Sequence, residues 1–75
     1  MKQIIDDVLY DTDTAEEIYF EESTLRRWYR TTNNRYFIAW ANGEILPVEE
    51  DTAKLVLGKH DTDKYIAIWG EPQEG

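Results

Sequence analysis

The chain of 75 residues contains no cysteine, one histidine and one serine. Without cysteine it can form no disulfide and can offer no thiolate ligand to a metal ion. Catalysis by proton transfer or nucleophilic attack normally uses histidine, cysteine or a serine held beside a base, and here only His60 and Ser23 are present. We therefore predict that the protein is not an enzyme and has no catalytic residues.

Motifs for ligands are also scarce. No glycine-rich phosphate loop is found among the four glycines. Residues 11–16 begin like a calcium-binding loop, but Glu16 stands where the sharp turn of such a loop requires glycine. We expect neither a metal site nor a cofactor.

Long hydrophobic runs are absent as well. No stretch approaches the roughly eighteen apolar residues that span a bilayer, and acidic groups interrupt residues 1–7, unlike a targeting segment. We therefore expect a cytoplasmic protein that does not contact a membrane. Hydrophobic residues make up 41% of the chain, which is typical of a single folded domain at this length.

The charges are segregated along the chain. Residues 23–43 contain four arginines and no carboxylate, whereas all sixteen acidic residues lie before or after this segment. The same segment holds half of the ten aromatic residues. It is either a site for an anionic partner or a sheet that the acidic elements fold onto and neutralise.

The first 22 residues are expected to form two very short strands and a helical turn. β-branched residues flank Asp6 and Asp7, which tolerate turn geometry. Residues 11–14 offer several helix caps, so residues 15–18 are predicted to form one helical turn with acidic groups at its positive end.

The central segment, residues 23–48, is predicted to form a β-hairpin and an edge strand. Residues 24–31 and 35–41 are rich in aromatic and β-branched residues, and Asn33 or Asn34 can adopt the left-handed conformation that closes the loop. Alternation places Arg27 and Tyr29 on one face with Phe37 and Ala39, and Arg26, Trp28 and Arg30 on the other with Tyr36 and Ile38. Neither face is purely polar.

After the Asn42-Gly43 turn, residues 44–48 could add a third strand, which Pro47 confines to an edge or an end of the sheet. Residues 49–70 are predicted to form two helices. The first ends near Gly58, and the second is capped by Asp61 or Thr62, with Tyr65, Ile66 and Trp69 on one stripe. Residues 71–75 form a tail. The predicted fold is a single α+β domain over residues 1–75, a small antiparallel sheet centred on one β-hairpin and packed by two C-terminal helices.

Two functional hypotheses use opposite charges. A net charge of −8 favours a protein partner with a basic surface and disfavours nucleic acid. The first hypothesis is thus an acidic surface that imitates a phosphate backbone, formed by Asp13, Glu16, Glu17, Glu49, Glu50 and Asp51. The alternative is a nucleic-acid-binding accessory module that uses Arg26, Arg30, Arg35 and Trp40. A monomer and a homodimer both remain open.

Four segments of the chain stand out as motifs: LYDTDTA at residues 9–15, WYRT at 28–31, RYFI at 35–38 and IWGE at 68–71. In the same order, they resemble a group of small uncharacterised proteins from Gram-positive bacteria and their mobile elements, such as prophages. The chain departs from the group at Asn34, where a turn glycine is usual, and at Asp6-Asp7, where Asn-Gly is common. The resemblance implies no activity, cofactor or catalytic residue. It implies a mobile-element setting, in which small acidic proteins often interfere with host defence or replication.

Overall fold

A computed structural model describes all 75 residues. The predicted α+β fold is confirmed, with two antiparallel sheets and two C-terminal helices. The first sheet has two strands, and the second has four in the order β3-β4-β5-β6. The elements are β1 (Lys2–Ile5), β2 (Val8–Asp11), β3 (Glu16–Glu21), β4 (Arg26–Arg30), β5 (Tyr36–Ala39), β6 (Ile45–Val48), α1 (Glu50–His60) and α2 (Thr62–Trp69).

The predicted turns of both hairpins are confirmed. Asp6 and Asp7 connect β1 to β2 with φ angles of 50° and 63°, the pair of left-handed residues that a tight two-residue hairpin needs. Asn34, at φ 60°, closes the loop between β4 and β5. Asparagine tolerates this left-handed backbone region better than most residues, so it can lie at a position that otherwise favours glycine.

The prediction of a helical turn at residues 15–18 is wrong. These residues lead into β3, which pairs antiparallel with β4 along the outer edge of the four-stranded sheet. A bulge falls between Glu17 and Tyr19, and it lets Ile18 and Tyr19 pack into the same core cluster. A one-turn helix would be marginal alone, whereas the strand gains the hydrogen bonds of its pairing with β4 and the burial of Ile18.

Both faces of the four-stranded sheet are covered, which accounts for its mixed composition. One face packs against α1 and α2 through Trp28, Tyr36 and Ile38. The opposite face packs against the β1–β2 hairpin through Phe37, whose ring centroid lies 5.4 Å from that of Tyr10. Tyr29 and Ile45 of the sheet belong to the same cluster. The observed register pairs Tyr29 with Phe37 and Trp28 with Ile38, so the predicted division between the faces is confirmed.

The remaining strand and the helices follow the prediction, with one correction in α2. β6 lies at the sheet edge, where Pro47 is tolerated. α1 ends at His60, so Gly58 lies near its C-terminal end as predicted, and a Cβ there would make an ordinary van der Waals contact with the Tyr65 ring of α2 at 3.7 Å. Asp61 caps α2 by accepting a hydrogen bond from the Lys64 main-chain N–H at 3.2 Å.

The predicted apolar stripe of α2 is also partly wrong. Ile66 is exposed, whereas Tyr65, Ile68 and Trp69 pack against the helix-side core. No residue of α2 is buried, so the helix lies on the surface of the core. Neither helix is long and apolar enough to cross a membrane.

Candidate functional site

The three arginines of β4, Arg26, Arg27 and Arg30, lie in ion pairs with the acidic strand beside them. β3 carries acidic residues and β4 carries arginines, and the register places Glu21 opposite Arg26 and Glu16 opposite Arg30. The Arg26 Nη2 donates to both oxygens of Glu21, at 2.8 Å and 3.0 Å, and its Nε donates to Glu21 Oε1 at 3.2 Å. Such forked contacts are among the stronger ion pairs in proteins.

The other two arginines of β4 also form ion pairs with carboxylates of β3. Arg27 Nη1 donates to Glu17 Oε1 at 2.9 Å. Arg30 Nη1 lies 3.9 Å from Glu16 Oε1, and Arg30 Nη2 donates to Asn34 Oδ1 at 2.8 Å. Glu16 also accepts from Lys64 Nζ of α2 at 3.2 Å. Three carboxylates of β3 therefore form ion pairs with four cations.

The Glu21 carboxylate is held in its charged form. Partial burial alone would raise its pKa, but hydrogen bonds from Arg26, Thr24 and Trp28, together with the charge of Arg26, hold that pKa below its ordinary value of 4.5. The pair therefore persists at neutral pH as a fixed feature of the sheet edge.

The residues of the nucleic-acid hypothesis do not share a free basic surface. Arg26 and Arg30 are in ion pairs, and the Arg26 guanidinium also lies 5.7 Å from the ring centroid of the half-buried Trp40. Arg35 is the one exposed arginine without an ion pair. It lies between two polar grooves, one lined by Glu49 and Glu50 and the other lined by acidic residues of the β1–β2 hairpin.

Half of the predicted acidic surface also has partners inside the molecule. Glu16 and Glu17 belong to the ion pairs of β3. The Oε2 atom of Glu50 accepts hydrogen bonds from the Tyr36 hydroxyl at 3.1 Å and from the Trp69 indole N–H at 3.3 Å. These contacts join residues that are 14 and 19 positions apart, so local sequence patterns carry no signal for them.

The other half of the predicted acidic surface is exposed and lies in no ion pair. Glu49 and Asp51 flank the first residue of α1, where negative charge is favoured by the helix dipole. Asp13 lies in the turn between β2 and β3, with its main-chain N–H donating to Asp11 Oδ1 at 2.9 Å. In the whole chain, thirteen of the sixteen acidic side chains form no ion pair.

The comparisons with known proteins give no match: neither a family model, nor a curated protein, nor a solved structure aligns significantly with the chain. No group of three or more histidine and acidic side chains converges in a way that could hold a metal ion. A functional role for the chain is therefore sought in its surface charges and grooves.

Proposed function

We propose that the protein is a non-enzymatic inhibitor that binds the basic surface of a nucleic-acid-binding protein and occupies it in place of a phosphate backbone. One observation carries this proposal. The three arginines of β4 are neutralised by only three carboxylates of β3, so thirteen carboxylates face solvent or polar groups without a cation beside them.

The physical basis is the field of the whole molecule. A net charge of −8 on 75 residues produces a negative potential that steers association with basic surfaces and repels nucleic acid. The long axis of the molecule is 39 Å, close to the roughly 34–36 Å of one turn of duplex DNA. A domain of this length spans a groove that binds about one turn of DNA.

The resemblance to proteins of mobile elements supports the inhibitory role. Such elements gain from blocking host enzymes that bind nucleic acid, and a small acidic domain needs no active site to do so. The alternative of direct nucleic-acid binding has weaker support, because Arg26, Arg27 and Arg30 are already engaged by carboxylates.

The first test is electrophoretic mobility of labelled duplex DNA and single-stranded RNA with the purified protein at low salt. We expect no shift of either nucleic acid. A shift that Arg35→Ala abolishes would contradict the proposal and favour the alternative.

The second test uses a partner captured from a Gram-positive lysate and then purified. We expect its affinity to fall steeply with salt and duplex DNA to compete with the acidic protein. The double variant Glu49→Gln/Asp51→Asn should bind about threefold to tenfold more weakly, since rim charges each contribute modestly. The matched control Glu71→Gln/Glu74→Gln removes the same charge from the tail and should bind like the wild type. Affinity that is independent of salt would overturn the proposal.

A further inference from the structure

A groove of about 400 Å³ lies beside the turn that connects β3 to β4, next to the C-terminal end of α1. We call it the β3–β4 groove. Aromatic side chains and carboxylates line it together, and, unlike the groove of Tyr36, Glu49 and Glu50, it contains a stacked pair of rings. Its lining includes Tyr19, Glu21, Glu22, Arg26, Trp28 and His60.

The aromatic side of the groove is formed before any partner arrives. The rings of Tyr19 and His60 are stacked, with centroids 6.0 Å apart and planes inclined by 19°. Tyr19 packs against the helix-side core, so its position is fixed, while His60 is exposed. Trp28, only 3% exposed, lies beneath and directs its indole N–H toward Glu21 Oε1 at 3.4 Å.

The polar side of the groove carries unbalanced negative charge. Two carboxylates, Glu21 and Glu22, line it together with one cation, Arg26. Arg26 donates three hydrogen bonds to Glu21, whereas Glu22 is exposed and forms no ion pair. With two carboxylates and one arginine in its lining, the groove therefore attracts a cation and repels phosphate or carboxylate ligands.

We propose that the β3–β4 groove binds an arginine side chain of the basic partner. This inference rests on the proposed function and identifies the group that it recognises. A planar guanidinium suits the groove because it stacks on aromatic rings and forms paired hydrogen bonds with a carboxylate, whereas a lysine ammonium acts as a point charge. The chain itself contains this arrangement, since Arg26 binds Glu21 while lying 6.0 Å from the Trp28 ring centroid.

The experiment is an NMR titration of the purified protein at constant pH. N-acetyl-arginine amide is the probe, and N-acetyl-citrulline amide is its neutral control of nearly the same shape. We expect saturable shifts of the Trp28 indole N–H and of the Tyr19 and His60 ring signals with arginine and not with citrulline. Equal responses to the two amides, or no response at these residues, would overturn the assignment.

Variants locate the binding to the groove. Glu22→Gln changes an exposed side chain and should weaken arginine amide binding about threefold, and His60→Ala should do the same by removing half of the aromatic pair. Tyr19→Leu keeps the apolar packing of a half-buried residue while removing its ring. Glu71→Gln, with the same change of charge in the tail, is the control and should leave binding unchanged.

The purified partner separates this inference from the proposed function. If Glu49→Gln/Asp51→Asn weakens the complex while Glu22→Gln and His60→Ala do not, the arginine site is wrong and the proposed function stands. If the complex is insensitive to salt but the groove still binds arginine amide selectively, the proposed function fails and the groove assignment stands.

Discussion

The carboxylate of Glu50 accepts a hydrogen bond from the Tyr36 hydroxyl at 3.1 Å, which joins the first residue of α1 to strand β5. The same oxygen accepts from the indole of Trp69, the last residue of α2. One carboxylate therefore connects the sheet with both helices. The connection matters because α2 has no fully buried residue to hold it in place.

Glu50→Ala should destabilise the protein by about 1 to 2 kcal/mol, because it leaves the Tyr36 hydroxyl and the Trp69 indole without their acceptor. Glu50→Gln keeps one acceptor oxygen and should lose less. Urea unfolding followed by tryptophan fluorescence measures both effects. An equal loss for Glu50→Ala and for Glu71→Ala, which lies in the tail, would show that the contact contributes nothing.

The Glu21–Arg26 pair should make stability sensitive to acid. The pKa of Glu21 is lower in the folded protein than its ordinary value of 4.5, so the unfolded chain binds the proton more tightly. The resulting stabilisation is fully present above pH 4.5 and is lost as the pH falls through the lowered value. Urea unfolding at a series of pH values should therefore show a steep loss below 4.5.

Glu21→Gln should reduce that acid dependence and lower the stability at pH 7. Glu74→Gln, in the tail, should retain the dependence of the wild type. Parallel pH profiles for wild type and Glu21→Gln would contradict this account of the ion pair.

The hairpin and the helices were predictable because their signals are local. Tyr29 and Phe37 fall on one face by simple alternation, and Asn34 lies where a short loop needs a left-handed residue. β3 was not predictable in this way, because its residues have several caps before them and acidic side chains that favour a helix start. The strand is favoured by contacts across the register and with the core, where Arg26 supplies the cation for Glu21 and Ile18 is buried.

The candidate site depended even more on distant contacts. Glu16 is predicted to lie on a partner-binding surface, and it also binds Lys64, which lies 48 positions later in the chain. Glu50 belongs to the same predicted surface, and its carboxylate accepts from Tyr36 and Trp69. Composition alone allows the arginines to be either neutralised or exposed to a partner. The pairing of β3 with β4 decides between these outcomes for the β4 arginines, because it places carboxylates beside them.

Tyr36 should make stability sensitive to alkali. Burial raises the pKa of Tyr36 above its ordinary value of 10.0, and the hydrogen bond to Glu50 and the negative charge of Glu50 raise that pKa further. The unfolded chain therefore releases the phenol proton first, and stability should fall as the pH rises above 10. Urea unfolding at a series of alkaline pH values measures the decline, and Tyr36→Phe should show a shallower one. Identical slopes for the two proteins would rule out this contribution.

Leu25 should be replaceable with a gain in stability. It lies in the turn between β3 and β4 at φ 56°, a left-handed conformation that disfavours side chains, and its side chain is 60% exposed. Leu25→Gly relieves the backbone strain, and after the entropy cost of glycine we expect a gain of about 0.5 to 1 kcal/mol in the free energy of unfolding. Leu46, half-exposed in the extended strand β6, provides the matched control: Leu46→Gly has no strain to relieve and should destabilise the protein. Thermal unfolding of both variants measures the difference, and a lower midpoint for Leu25→Gly than for the wild type would mean that the leucine makes contacts worth more than its strain.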